Sequence, residues 1–265
     1  MDGLLIVAGT LRRVSEAPMT NQFQTPSAPG SMAGSDRPLV IAIDGPSGSG
    51  KTSTARGVAD RLGLAFLDTG AMYRAVTWLA LQEGVDLDDR AAVACLLDHA
   101  ALEIDMDPGR PAIAINGVDV TDEIRAPEVS QAVSAIATNL DVREDLVARQ
   151  RQLIAEAVRG IVAEGRDITT VVAPEADVRV LLVADPAARV ARRHAELEEH
   201  QLDVDSVHDQ VIRRDRDDSL VAEFESAAPG VHVVDSTSLS LEEVIETICA
   251  FVPVKALGDR RGRRS

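Results

Sequence analysis

Aromatic residues are nearly missing from this chain: one Trp, one Tyr and four Phe make up 2% of 265 residues. The interior must therefore be built from Leu, Val, Ile and Ala, and a hydrophobic fraction of 45% suffices for a proper globular core. Cysteine is almost absent as well. Cys95 and Cys249 sit in apolar helical contexts without CxxC spacing, which predicts buried reduced thiols rather than a disulfide or a metal site. No apolar run has the length of a membrane span, and the Leu4–Val7 run is too short for a signal peptide, so the chain reads as cytoplasmic. Positive charge is in deficit: 27 Lys and Arg against 43 Asp and Glu leave a net −16 at pH 7. That balance argues against nucleic acid or a membrane as a partner. It also makes the local clusters Arg189–Arg193 and Arg213–Arg216 informative, because they concentrate cations against the global field. An Asn/Thr-Lys-x-Asp guanine-reading motif is lacking too, which disfavours a GTPase switch.

One stretch carries most of the information that is present. Residues 39–52 read LVIAIDGPSGSGKT, an apolar β-branched run feeding into Gly45-Pro46-Ser47-Gly48-Ser49-Gly50-Lys51-Thr52. Between a strand and a helix, this spacing marks a phosphate-cradling loop. Its glycines let backbone N–H groups approach phosphate oxygens without Cβ obstruction, and the following helix adds the positive end of its dipole. Lys51 can reach the β- and γ-phosphates, and the Thr52 hydroxyl can ligate Mg²⁺. A chance Gly/Ser-rich turn would not need the strand before it and the amphipathic stretch after it. The chain is expected to bind a nucleoside triphosphate through residues 45–52.

Elsewhere, strand and helix patterns alternate. Residues 1–37 read as a disordered tail, Pro-, Ser- and Gly-rich from 21 to 38, with Met19 and Met32 as possible later starts. Strands are expected at 39–43, 65–67, 160–163, 178–183 and 231–234, and helices at 51–62, from after Asp68-Thr69-Gly70 to about 82, at 86–100 and at 128–157, the last broken near Asn139-Leu140-Asp141. Short strands at 102–104, 112–115 and 118–120, with an Asn116-Gly117 turn, suggest a small β-rich insert over 101–128. The core then comprises 38–100 and 129–252, and 253–265 is a basic tail. Strands separated by helices imply parallel βαβ units and a doubly wound α/β sheet.

A phosphate loop alone does not say what becomes of the phosphate. Near the expected strand ends lie Asp68, Arg74, Arg166, Asp167, Arg189, Arg192, Arg193, Arg214 and Asp218. Phosphoryl transfer uses such equipment, because charge spreads over the equatorial oxygens and guanidinium groups stay charged and bind phosphate bidentately. Arg189 and Arg193 are one helical turn apart and project from one face. In a closing lid, at about 186–206, these arginines reach the triphosphate only once substrate is bound. The alternative for any one of them is a solvated ion pair with Glu196, Glu198 or Glu199.

The segments IAIDGPSGSGKT, FLDTGAMYRA, INGVDVTDEIRAPEVSQAVSAIA, VREDLVARQR, AEGRDITTVVAPEADVRVLL, RRDRDDS and VVDSTSLSLEEVI, in this order over residues 39–252, make the chain resemble bacterial cytidylate kinase. The resemblance implies a P-loop kinase fold: a parallel β-sheet flanked by helices, with a lid and a β-rich insert that binds the nucleoside monophosphate. It implies a monomeric enzyme moving the γ-phosphate of ATP to CMP or dCMP with Mg²⁺. By position it puts Thr69, Tyr73 and Arg74 in the acceptor pocket, and Ser134, Arg143 and Asp167 on the cytosine ring. Arg166 falls on the acceptor phosphate, Arg214 and Asp218 on the sugar, and Lys51, Arg189, Arg192 and Arg193 in catalysis. A carboxylate at 167 suits this, since it accepts from the exocyclic N4 amine that uracil lacks. Three departures stand out: Val221 where the family usually has an Arg, Ala222-Glu223-Phe224 in place of Ala-Pro-Leu, and Thr169 in place of Gly. They leave two alternatives open, a lapsed kinase that binds nucleotide as a regulatory protein and a kinase with another small acceptor.

Overall fold

The computed structural model describes residues 37–197, 216 and 226–253. The expected N-terminal and C-terminal tails, the distal part of the lid, and Arg214, Asp218, Val221 and Ala222-Glu223-Phe224 lie outside the described residues, as does the side chain of Arg193.

Val40–Asp44 forms β1, and Lys51–Leu62 the helix α1 that follows the glycine-rich loop. Next come β2 (Ala65–Asp68), α2 (Thr69–Gln82) and α3 (Arg90–Asp98). The antiparallel strands β3 (Leu102–Asp105), β4 (Ala112–Ile115) and β5 (Val118–Asp119) make a separate three-stranded sheet, with the Asn116-Gly117 turn joining its last two. Then follow α4 (Pro127–Ala137), α5 (Leu140–Glu156), β6 (Ile161–Gly165), β7 (Val178–Val183), α6 (Pro186–Leu197), β8 (His232–Asp235) and α7 (Leu241–Ala250).

The five longer-range strands pair in parallel in the order β2-β6-β1-β7-β8. β1 and β6 lie in the interior of this sheet and are buried on both faces, which is why both read as nearly continuous apolar runs. Alternate side chains serve opposite layers. Ala42, Leu67, Ile161 and Ala163 join the cluster under α2, α4 and α5. Ile41, Ile43, Phe66, Val162, Val178 and Val180 join the cluster that includes Val58 of α1 and Ile248 of α7. The expected doubly wound α/β core is therefore present.

Several local expectations are corrected. α3 starts at Arg90 rather than 86 because the Asp89 carboxylate accepts from Ala92 N at 3.0 Å, capping the helix there. Strand β6 runs on through Glu164 and Gly165, held in register by Ile43↔Glu164 and Asp44↔Gly165 pairing with β1. Residues Ile168–Val172 form a one-turn π-helix that no sequence pattern signalled. Cys95 is exposed rather than buried and Cys249 is half-buried, both as free thiols. In α3 the buried stripe is Val93 and Leu97, and Cys95, midway between them in sequence, falls on the opposite face. The break near Asn139 occurs as expected: its side chain accepts from Asp141 N at 3.2 Å and donates to Arg90 O at 3.0 Å.

Candidate active site

Parallel strands deliver their carboxyl ends to one edge, and the phosphate loop leaves the sheet there, straight from β1. The loop closes onto α1 with Gly50 at the N-cap position and Thr54 N donating to Gly50 O at 3.0 Å. Lys51 folds back over the loop, its Nζ donating to Pro46 O at 2.8 Å. Gly48 has φ +75°, and a Cβ there would stand 2.5 Å from Arg189 O, so α6 lies directly against the loop. Two arginines of α6 reinforce that contact. Arg189 Nη1 donates to Ser47 O at 3.1 Å, and Arg192 Nη1 donates to Ser49 O at 3.4 Å. Arg192 also donates to Ser236 Oγ at 2.9 Å and Ser236 O at 2.6 Å, while Ser236 Oγ donates to Ser49 O at 3.0 Å. Arg189 and Arg192 thus rest directly on the loop.

The end of β6 contributes the second wall. Glu164 is buried and its Oε1 accepts from the Thr52 hydroxyl at 2.6 Å. Burial and the neighbouring Asp68 push its carboxyl up to about 7, against the pull of Lys51, the Thr52 hydroxyl and Arg74. Two residues on, Arg166 Nη1 donates to Gly45 O at 2.6 Å, joining this wall to the start of the loop. Asp167 pairs with Arg143, which also donates to Ala137 O at 3.2 Å at the end of α4. Ser134 lies one turn before that end, its carbonyl accepting from Thr138.

The third wall is the start of α2. Asp68 caps the helix by accepting from Ala71 N at 2.9 Å and lies 3.9 Å from Arg74 Nη1. The Thr69 hydroxyl donates to Glu164 O at 2.8 Å, which locks α2 to the end of β6. Tyr73 is buried on the same helix. The structure therefore brings the loop, Arg189 and Arg192 to one side and Thr69, Arg74, Arg143, Arg166 and Asp167 to the adjoining walls. Asp44, Glu164 and Ser236 were missed from sequence. The only available signal was an acid closing an otherwise apolar strand in the first two cases; Ser236 had none.

An oxygen-lined corner at Thr52 and Glu164 has the hard donor chemistry that suits Mg²⁺. Cations on the loop and at the β6 end, facing a backbone built for phosphate, equip this edge to hold two phosphorylated molecules side by side. No helix among the described residues is long and apolar enough to cross a membrane.

Comparison with known proteins agrees with this arrangement. The family model described as cytidylate kinase matches residues 41–253. A cytidylate kinase of Cutibacterium acnes is 57% identical over 222 residues, covering 83% of this chain and 98% of that protein. Cytidylate kinases of Nocardia farcinica and Geobacillus kaustophilus are 46% and 43% identical, each over 82% of this chain and 94% and 97% of their own length. The chain belongs to the cytidylate kinase family.

Proposed function

We propose that this protein transfers the γ-phosphoryl group of ATP directly to CMP or dCMP, giving ADP and CDP or dCDP. The carrying observation is the Arg166–Gly45 hydrogen bond at 2.6 Å, which ties a cation for an acceptor phosphate to the donor's phosphate loop. In this reading residues 45–52 cradle the ATP phosphates, and Lys51, Arg189, Arg192 and Arg193 balance the charge that develops on the transferring group. Arg74 and Arg166 align the acceptor phosphate, so the acceptor oxygen sits in line with the γ-phosphorus. Asp167, oriented by Arg143, accepts from the cytosine N4 amine, with Ser134 at the ring edge, Tyr73 and Thr69 on the pocket wall, and Arg214 and Asp218 at the sugar. Thr52 would hold Mg²⁺, with Glu164 behind its hydroxyl. When bound, the ion would neutralise part of the charge on the donor phosphates. The β3–β5 sheet belongs to the acceptor-binding insert and α6 opens the lid. The enzyme works in the cytoplasm as a monomer, which sedimentation at assay concentration checks.

The test is a coupled assay of purified protein with Mg²⁺-ATP and CMP, dCMP, UMP or AMP. CMP or dCMP should exceed UMP and AMP by at least about tenfold in kcat/KM, the size expected when one base-reading hydrogen bond is lost. Lys51→Met should abolish turnover while leaving the melting temperature intact. ATP binding without turnover of any of the four acceptors would overturn the reading.

A further inference from the structure

Asp44 is the last residue of β1, 1% exposed, and belongs to no role assigned above. Its carboxylate turns to the segment that follows β6. Oδ1 accepts from Ile168 N at 2.8 Å and Oδ2 from Thr169 N at 2.7 Å, across 124 and 125 residues of sequence. The Thr169 side chain also favours the ionised form of this carboxyl, and with the two amides it opposes the upward push of burial on its pKa.

These two amides are the first donors of the Ile168–Val172 turn, and Asp167 occupies its N-cap position. An Asp there ordinarily turns its own side chain onto such amides. Asp167 makes no side-chain cap bond; its carboxylate pairs instead with Arg143. Only its carbonyl serves the turn, accepting from Val171 N at 2.8 Å and Val172 N at 3.1 Å.

We propose that Asp44 is a positioning residue for acceptor selection: by capping the Ile168–Val172 turn in place of Asp167, it releases the Asp167 carboxylate to read the acceptor base. One strand end thereby sets both sites. Asp44 is followed directly by Gly45, whose carbonyl holds Arg166, so the donor loop and the acceptor-reading turn share a single anchor. Without Asp44, the Asp167 side chain becomes the nearest acceptor for the orphaned amides and swings away from Arg143.

The proposal rests on the reading that Asp167 contacts the base, and the experiment separates the two. Steady-state kinetics with CMP and UMP are compared for the parent, Asp44→Asn, Asp167→Asn and the double variant, with binding of a non-hydrolysable ATP analogue measured alongside. Asn at 44 keeps the shape but turns an NH₂ toward one amide. Asp44→Asn should lower the CMP-to-UMP ratio of kcat/KM by about tenfold, the loss expected for one charged hydrogen bond. The change should fall mainly on KM for CMP, with the ATP analogue still bound. In the double variant the ratio should match that of Asp167→Asn alone, since both act through one carboxylate. An unchanged ratio in Asp167→Asn would refute the base-reading assignment itself. A lost ratio in Asp167→Asn with an intact one in Asp44→Asn would overturn only the proposal. Asp44→Ser, which leaves a single oxygen for the two amides, covers the case in which Asp44→Asn does not fold. It should lower the ratio in the same direction, and an unchanged ratio there would overturn the proposal.

Discussion

Glu164 is a carboxyl placed where ionisation is costly. It is buried at the end of an interior strand with Asp68 nearby, and the Thr52 hydroxyl and Lys51 only partly compensate, leaving a pKa of about 7 against an ordinary 4.5. A carboxyl whose pKa rises on folding binds more protons in the folded chain than in the unfolded one across that interval. Stability is therefore fullest below about pH 4.5 with respect to this group and declines as pH rises toward and through 7. Glu164→Gln removes the ionisation and keeps an oxygen to accept from Thr52. Relative to the parent, its melting temperature should be higher at pH 8 than at pH 5, at a scale of about 2–4 °C per kcal/mol for a chain of this size. Calorimetry in chelator, without nucleotide, measures this directly. Equal differences at the two pH values would mean the group titrates in its ordinary range when folded.

At the level of elements, α6 packs directly against the phosphate loop, and in the proposed reading donor binding depends on that joint. The Asp185 carboxylate accepts from Ala187 N at 2.8 Å and Thr237 Oγ1 accepts from Asp185 N at 2.8 Å, fixing where α6 begins. Arg189 and Arg192 then lie over the loop. Gly48→Ala brings a Cβ to 2.5 Å from Arg189 O and so must push the helix away. Gly63, at φ +65° with nothing within 4 Å, serves as the control. Both substitutions carry a left-handed backbone cost of about 1–2 kcal/mol, but only Gly48→Ala should raise KM for ATP, by about tenfold or more, as expected when a phosphate-loop contact worth about 1.4 kcal/mol is lost. Equal KM values would separate the joint from donor binding.

These elements also mark what sequence could and could not announce. The strands, the Asn139 break and the Asn116-Gly117 hairpin follow from local periodicity and turn chemistry, and the loop follows from its spacing. The start of α3 was a contest between nearby acids that Asp89 wins by capping. The run of β6 through Glu164 is decided by its register with β1, and the π-turn by Asp44 more than a hundred residues upstream. Asp44, Glu164 and Ser236 take their meaning from partners distant in sequence, and the acid that closes an apolar strand marks the first two without saying what they hold.

Across the whole molecule, the carboxyl ends of β1, β2, β6 and β7 gather the phosphate loop, the start of α2, the Arg166-Asp167 segment and α6 along one edge. Loop and acceptor segment are joined by Arg166 to Gly45 and by Asp44 to Ile168 and Thr169. In the proposed reading, a ligand that fixes the loop also fixes the acceptor turn through these bonds, and the second ligand then meets a site with less ordering left to pay. Lys51, Arg166 and Arg189 stand beside the loop, where in the proposed reading they oppose the mutual repulsion of the two phosphate groups. CMP should consequently bind more tightly in the presence of Mg²⁺ and a non-hydrolysable ATP analogue, by about fivefold or more, a coupling of about 1 kcal/mol. Linkage requires the analogue to gain the same factor from CMP. Titration calorimetry in both orders provides the check, with Asp44→Asn as the variant that should weaken the coupling. Affinities independent of the other ligand would show that the shared strand end holds the two sites in place without transmitting anything between them.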